Sequence, residues 1–157
     1  MTSYEWIWQT GPELDPAGLY TLLSLRTAVF VVEQQCAYQE LDGRDLVPST
    51  HHLQVLAAGQ LAATLRLQAP ATVTQPVAIG RVVIHPDHRG SGLGHDLLRA
   101  ALHRIESLWP GRSARLSAQA HLRAYYGRHG FEPVSDIYLE DGIPHIDMHR
   151  AWDAESR

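Results

Sequence analysis

The chain has 157 residues and a mass of 17.5 kDa, and 45% of its residues are hydrophobic, enough to bury the core of a single domain spanning residues 1–157. A formal charge of -4 and a sequence pI of about 6.2 exclude a general phosphate-binding surface, because nucleic-acid affinity rests on many cationic contacts that release counterions. No stretch reaches the ~20 apolar residues of a membrane span and the segment from Met1 to Trp6 lacks the basic-then-apolar order of an export signal, so a cytoplasmic protein with neither nucleic acid nor membrane as partner is expected.

Residues 4–9 are aromatic and β-branched enough for a first strand. Asp15-Pro16 reads as an N-cap followed by proline at the first helical position, and Leu19, Leu22, Leu23, Val29 and Phe30 recur at helical spacing, which predicts a helix to about residue 34. Residues 35–50 read as a loop with room for a short helix, and carry Glu40, Asp42 and Asp45. Residues 52–58, a turn at Gly59-Gln60 and residues 61–67 predict a hairpin. A connector over 69–77 leads into a strand over 78–85, which Pro86 closes. From Gly92 to Trp109, the residues Leu93, Leu97, Leu98, Ala101, Leu102, Ile105 and Leu108 mark one face of a helix that stops at Pro110-Gly111. A strand over 115–118, a helix over 121–129 and strands over 131–135 and 145–151 complete the prediction.

The segment from Arg81 to Gly94 is a strand running into a glycine-rich turn that opens the long helix. Glycines let backbone N–H groups approach oxygen atoms closely, and a helix N-terminus adds partial positive charge, so this is an anion cradle. A P-loop would need Gly-Lys-Ser/Thr after the turn, and a dinucleotide fingerprint starting at Gly90 or Gly92 would need glycine at 95 or 97, where His95 and Leu97 stand. All 13 basic residues are Arg, which excludes a Walker lysine, a pyridoxal-phosphate Schiff base and a lysine nucleophile. Cys36 is the single cysteine, so neither an intrachain disulfide nor a cysteine zinc site is available.

Arg89-Gly90-Ser91-Gly92-Leu93-Gly94, after a strand ending in x-Pro, resembles the coenzyme A motif of the GNAT superfamily of N-acetyltransferases, and Gln119 to Phe131, with Tyr126-x-x-x-Gly130-Phe131, resembles its second signature. Arg26 to Gln34, Gln119-Ala-His-Leu122 and Glu140 to Ile146 resemble the ElaA-like branch, over nearly the whole chain. The resemblance implies an α/β (α+β) fold with a mixed, mostly antiparallel sheet flanked by helices and splayed near its middle. It implies acetyl-CoA as co-substrate, with the backbone of Val82, Val83 and Ile84 along the pantetheine and Arg89, Gly90, Ser91, Gly92, Leu93, Gly94 and His95 around the pyrophosphate. Tyr126 stands where many members keep the tyrosine that protonates the departing thiolate, and it also reads as an aromatic packing the coenzyme. Gln119 stands where many have Asn, and Leu122 where alanine is common.

The sequence leaves the general base open between Glu33, which also reads as a capping or solvated carboxylate, and His145, which also reads as a structural imidazole. No metal is expected: a strand separates His145 from His149 by about 13 Å, and His51-His52 and His85-x-x-His88 read as structural or surface residues. The expected acceptor is a primary amine of a small molecule or peptide. Glu33, Glu40, Asp42, Asp45, Glu140 and Asp141 would make a cationic one plausible if they stood free in the cleft, and otherwise read as ordinary solvated loop acids. A homodimer is compatible with the sequence. Two other functions stay open. One is a coenzyme-A-binding sensor or scaffold without acceptor chemistry. The other is a homoserine-lactone-type synthase, whose early segment Arg26-x-x-Val-Phe-x-x-Glu33 resembles but whose family lacks well-formed cradle glycines.

Overall fold

A computed structural model describes residues 2–152 of the chain, so Met1 and residues 153–157 of the expected domain lie outside the described residues. The strands are β1 (Tyr4–Thr10), β2 (Thr50–Ala57), β3 (Gln60–Gln68), β4 (Val77–Ile84), β5 (Ala114–Gln119), β6 (Glu132–Pro133), β7 (Tyr138–Glu140) and β8 (Ile143–Arg150). The helices are α1 (Pro16–Thr27), α2 (Leu93–Leu108) and α3 (Arg123–Gly127). All strands join one sheet in the order β1-β2-β3-β4-β5-β8-β6, with β7 also paired to β8. Its pairs are antiparallel except β4–β5, and the 16-residue α2 provides the crossover that a parallel neighbour needs.

The two longer helices form where the sequence supplies an apolar face, and α1 has a start signal as well. Asp15 caps α1 by accepting the Gly18 N–H at 2.6 Å, with Pro16 at the first position. α1 buries Leu22 and Leu25, and the turn after it Val29, against Leu61 and Val83 on one side of the sheet. α2 buries Leu93, Leu97, Leu98, Ala101, Leu102 and Ile105 among the residues of the larger core on the other. β4 therefore lies between two helix layers, with Val83 packed toward α1 while Val82 and Ile84 pack against the larger core.

Several elements differ from expectation. The first helix does not continue regularly to residue 34; from Ala28 to Glu33 it widens into a π-helical stretch, closed by Gln34 N–H to Val29 O and Cys36 N–H to Val31 O, both at 3.1 Å. The widening begins beside Thr27 and covers Val29, Val31 and Val32, β-branched side chains that crowd a regular α-turn. The predicted helix over 121–129 is a 3-10 turn, Ala120–Leu122, followed by the short α3, which Gly130 ends at φ 86 as the Phe131 N–H returns to Tyr126 O at 3.3 Å. Of the strand expected over 131–135 only β6 pairs, and β7 is an added strand. β7 reaches β8 through Asp141-Gly142, both at positive φ, an Asp-Gly hairpin turn whose three-residue flank on the β7 side is too short to show an alternation.

The first hairpin turns at Ala58-Gly59 rather than Gly59-Gln60, because Gln60 pairs with Ala57. Both turn residues have positive φ, 50 and 81, as a type I′ turn requires. Alanine is strained there and asparagine is not. Ala58→Asn is expected to stabilise the fold by about 0.5–1 kcal/mol, read as a rise in thermal midpoint; an unchanged or lower midpoint would count against this turn geometry.

Candidate active site

The site begins where β4 and β5 part. Their pairing is confined to Val77 with Ala114 and Ala78 with Arg115. Three residues later Arg81 takes φ 52, and the β3–β4 register shifts between Thr64 and Arg66. Such a bulge bends and twists its strand. Val83 and Ile84 still pair with Thr64 and Ala63 of β3, but beyond Ala78 β4 has no β5 partner among the described residues. The facing edges of β4 and β5 thus form a wedge of unpaired backbone donors and acceptors, which need polar partners.

The glycine turn stands at the end of β4. Gly90 and Gly92 have φ 78 and 84, and a β-carbon at either would meet no atom within 4 Å beyond its chain neighbours, so the space beside each is open. Gly92 caps α2 without a side chain, leaving the first N–H groups and the positive end of a 16-residue helix facing that space. Ser91 Oγ donates to His88 O at 2.9 Å, and the Tyr125 hydroxyl donates to Gly94 O. The residues predicted for a coenzyme diphosphate therefore have the form such an anion needs.

Arg89 and Glu33, 56 positions apart, are joined: the guanidinium meets the carboxylate through two contacts, at 3.1 and 3.0 Å, and its Nε donates to Ile84 O at 3.2 Å. Both Glu33 oxygens are thereby engaged, which ties the π-helical stretch to the cradle. At the next residue Gln34 Oε1 accepts from Gln119 Nε2 at 3.0 Å, and Cys36 Sγ donates to Asp141 O at 3.4 Å. The segment after α1 therefore touches the end of β5 and the β7–β8 turn.

His145 lies opposite Gln119 in the β5–β8 register. Its Nδ1 is 2.8 Å from Ile143 O, which assigns the N–H to that nitrogen and leaves Nε2, 3.4 Å from Glu140, as the basic one in the neutral ring. Tyr138 stacks on it at 6.2 Å, and the Tyr138 hydroxyl donates to Asp147 Oδ1 at 2.5 Å. Tyr126 is buried, packed edge-on to Phe131 and Tyr125. Burial foremost, then Tyr125, raises its phenol well above the ordinary value, which keeps it protonated. Burial pushes Tyr125 up to about 12, and its hydroxyl is already committed to Gly94. Tyr126 Oη has no hydrogen-bond partner among the described residues, which separates it from Tyr125.

The idea of a free acidic wall is corrected for residues 35–50. Glu40 and Asp45 are buried, and with Asp42 they face three guanidiniums. Arg26, 1% exposed, donates to Glu40 at 2.6 Å and to both Asp45 oxygens at 2.6 and 3.2 Å. Arg66 bonds Asp42 through both terminal nitrogens and Asp45 at 3.0 Å, and Arg81 reaches Glu40 at 2.7 Å. Burial alone would raise the carboxyls of Asp42 and Asp45, but the hydrogen bonds and charges of the arginines outweigh it and hold both below the usual carboxylate range. Nothing in the motifs that contain Arg26 and Arg81 marks either as part of a buried charge cluster, and Arg66 lies in no motif; Arg66 and Arg81 stand 40 and more positions from Arg26.

The larger surface depression, about 810 Å³ beside Arg123, Pro133 and Ile137, shares no residue with the cradle. No group of three or more metal-ligating side chains comes together among the described residues. His52 Nε2 lies 2.8 Å from Asp45 O, and His88 Nδ1 3.2 Å from the Tyr4 hydroxyl. No helix among the described residues is long and apolar enough to cross a membrane.

The family model for the acetyltransferase (GNAT) domain matches residues 14–151. Protein ElaA of Escherichia coli is 44% identical over 138 residues, covering 88% of this chain and 90% of ElaA, and its crystal structure superposes with a TM-score of 0.89 over 94% of this chain and 99% of that one. The crystal structure of an acyl-CoA N-acyltransferase from Pseudomonas aeruginosa gives a TM-score of 0.90 at 54% identity, covering 95% of this chain and all of that one. The CoA-dependent acyl-homoserine lactone synthase BjaI, at 15% identity and a TM-score of 0.78 over 98% of this chain and 86% of that one, is alike in fold alone.

Arg26→Met is expected to lower stability by about 3–5 kcal/mol in urea denaturation, because Glu40 and Asp45 lose their shared cation while remaining buried. With folded values depressed, Asp42 and Asp45 contribute stability that is complete above the ordinary Asp value of about 4 and is lost as pH falls below it toward the folded values. Equal stability at pH 6 and pH 3 would contradict this.

Proposed function

The chain belongs to the GNAT acetyltransferase family, in its ElaA-like branch, and from that premise we propose that it transfers an acetyl group from acetyl-CoA to a primary amine of a small molecule or peptide, by direct attack in a ternary complex. The observation that carries the proposal is the parting of β4 and β5 directly before a glycine turn with open space beside it. Such a wedge accepts an extended amide-bearing arm through its backbone, and the turn accepts the diphosphate to which that arm is joined.

In this reading Val82, Val83 and Ile84 offer backbone groups to the pantetheine, Arg89 to His95 wrap the pyrophosphate, and Gln119 lies at the thioester end. Attack of the amine nitrogen on the acetyl carbonyl forms the C–N bond; collapse breaks the C–S bond, and the sulfur leaves as a thiolate. Tyr126 donates the proton that the thiolate takes up. Its burial works in two directions: it makes the phenol a weaker acid, but an anionic sulfur in the same surroundings is also a stronger base than its aqueous value near 8.5 implies.

The amine must also lose a proton. An amine of pKa about 10.4 is neutral in roughly one molecule in 2,500 at pH 7, a deficit of about 4.6 kcal/mol. Between the two candidates the geometry favours His145. Its Nδ1–H is fixed by Ile143 O, and its Nε2, 3.4 Å from the Glu140 carboxylate, is left to accept. Glu33, engaged by Arg89 through both oxygens, becomes an anchor of the cradle. With Glu40, Asp42 and Asp45 neutralised by arginine, the 35–50 segment gives no reason for a second positive charge on the acceptor. A cytoplasmic location, where acyl-CoA is available, accompanies this reading, and no metal takes part.

Acetyl-CoA is expected to raise the thermal midpoint of the protein, and an amine panel to release free coenzyme from it. Tyr126→Phe should lower turnover about 10- to 1,000-fold with the KM for acetyl-CoA nearly unchanged. Thermal behaviour indifferent to acetyl-CoA would sink the coenzyme assignment, and binding without release by any amine would make the protein a sensor.

Glu33→Gln should raise the KM for acetyl-CoA and leave the shape of the pH–rate profile intact, whereas His145→Gln should depress turnover and flatten its low-pH limb. The reverse pattern would return the base to Glu33.

A further inference from the structure

Beside the glycine turn two imidazoles are joined. His95, in the first turn of α2, sets Nδ1 2.8 Å from Nε2 of His129, which follows α3; the ring centroids are 5.1 Å apart and the planes 29° from parallel. Tyr125 flanks both rings, at 5.0 and 5.9 Å. Arg150 of β8 donates to the His129 carbonyl at 2.9 Å, and Arg99 of α2, paired with Asp96 at 2.9 Å, adds a second positive charge nearby. Burial, and then His95, Arg99 and Arg150, disfavour a proton on His129.

Proton counting restricts what this pair can do. Two neutral rings share one inner N–H, so of the two outer nitrogens, His95 Nε2 and His129 Nδ1, one is a donor and the other a bare acceptor. One added proton turns both outer nitrogens into donors and keeps the inner bond. A second added proton would set two N–H groups against each other and break it. The pair therefore has two stable states that differ by one proton and one positive charge, and a residue of the anion cradle belongs to it.

We propose that His129, through His95, makes binding of the coenzyme diphosphate take up a proton from solvent. This rests on reading residues 90–95 as the coenzyme cradle. The arriving anion brings negative charge to the arginine-flanked pair, and the added proton gives the pair a positive charge and turns its one bare outer nitrogen into a second outward N–H donor. His129 acts through His95 and is a positioning residue.

The test is calorimetric titration of the full chain with acetyl-CoA, and with dephospho-CoA to remove the 3′-phosphate that itself titrates, at pH 7 in buffers of different ionisation enthalpy. The wild type is expected to take up a measurable fraction of a proton, up to about one, and its Kd to weaken by up to about tenfold per pH unit toward pH 8. His129→Phe keeps an aromatic ring against Tyr125 and should abolish both the uptake of dephospho-CoA-linked protons and the pH slope; His129→Gln serves if that variant does not fold. Wild-type binding of dephospho-CoA without proton uptake, or equal uptake in the variant, overturns this inference and leaves the coenzyme reading standing. A wild type that binds neither ligand overturns the coenzyme reading and this inference together.

Discussion

The parting of β4 and β5 is the constraint to which the rest of the molecule answers. A parallel pair that continued to the ends of both strands would satisfy their backbone groups and leave nothing for a ligand. Here pairing stops at Ala78 and Arg115, and the bulge at Arg81 bends β4 away. The resulting unpaired edges survive because each strand is secured from its other side, β4 by β3 and β5 by six consecutive pairs with β8. Helix layers on both faces then pack against β4 and bury Val77, Ile79 and Val83, so its unpaired backbone edge is a main surface left for recognition. A backbone-lined wedge of this kind fits an extended amide chain better than it fits a compact ligand.

The bulge in turn depends on charge. Arg81, held at a φ that L-residues rarely adopt, sends its guanidinium to Glu40 and Asp42, and the same carboxylates belong to the cluster of Arg26, Arg66 and Asp45. Burying so many ionised groups is expensive, and an apolar cluster of equal volume could be as stable. What the charges supply is geometry. Forked guanidiniums fix the 35–50 segment, the base of α1 and the bent strand relative to one another, and a loop whose sequence reads as solvated becomes a rigid wall. The neutrality of that cluster also removes the electrostatic reason for a polycationic acceptor.

Beyond this frame, burial and occupancy distinguish the candidate residues from one another. Tyr125 and Tyr126 are adjacent and chemically identical, yet one hydroxyl is consumed by the Gly94 carbonyl and the other is unengaged. Glu33 and His145 are both competent bases by type, yet one is clamped by Arg89 and the other has its tautomer set by a backbone carbonyl. In each pair the choice follows from which lone pair or proton is already spoken for.

The sequence by itself determined the helix-opening glycine turn, the strand before it and the apolar face of α2, because these depend on local spacing: φ above zero at Gly90 and Gly92 and a period of 3.6 from Leu93 to Ile105. It also carried the family, through two signatures in order. It did not determine the π-helical stretch, which a run of valines spaced for a helix conceals, nor the hairpin at Asp141-Gly142, whose first strand is too short to alternate. Only the tertiary structure decided that Glu40, Asp42 and Asp45 are neutralised, that Glu33 serves Arg89, and that His95 meets His129. Each of these contacts joins side chains 14 to 56 positions apart, and a charge or an imidazole in a sequence carries no mark of the partner that folding will bring to it.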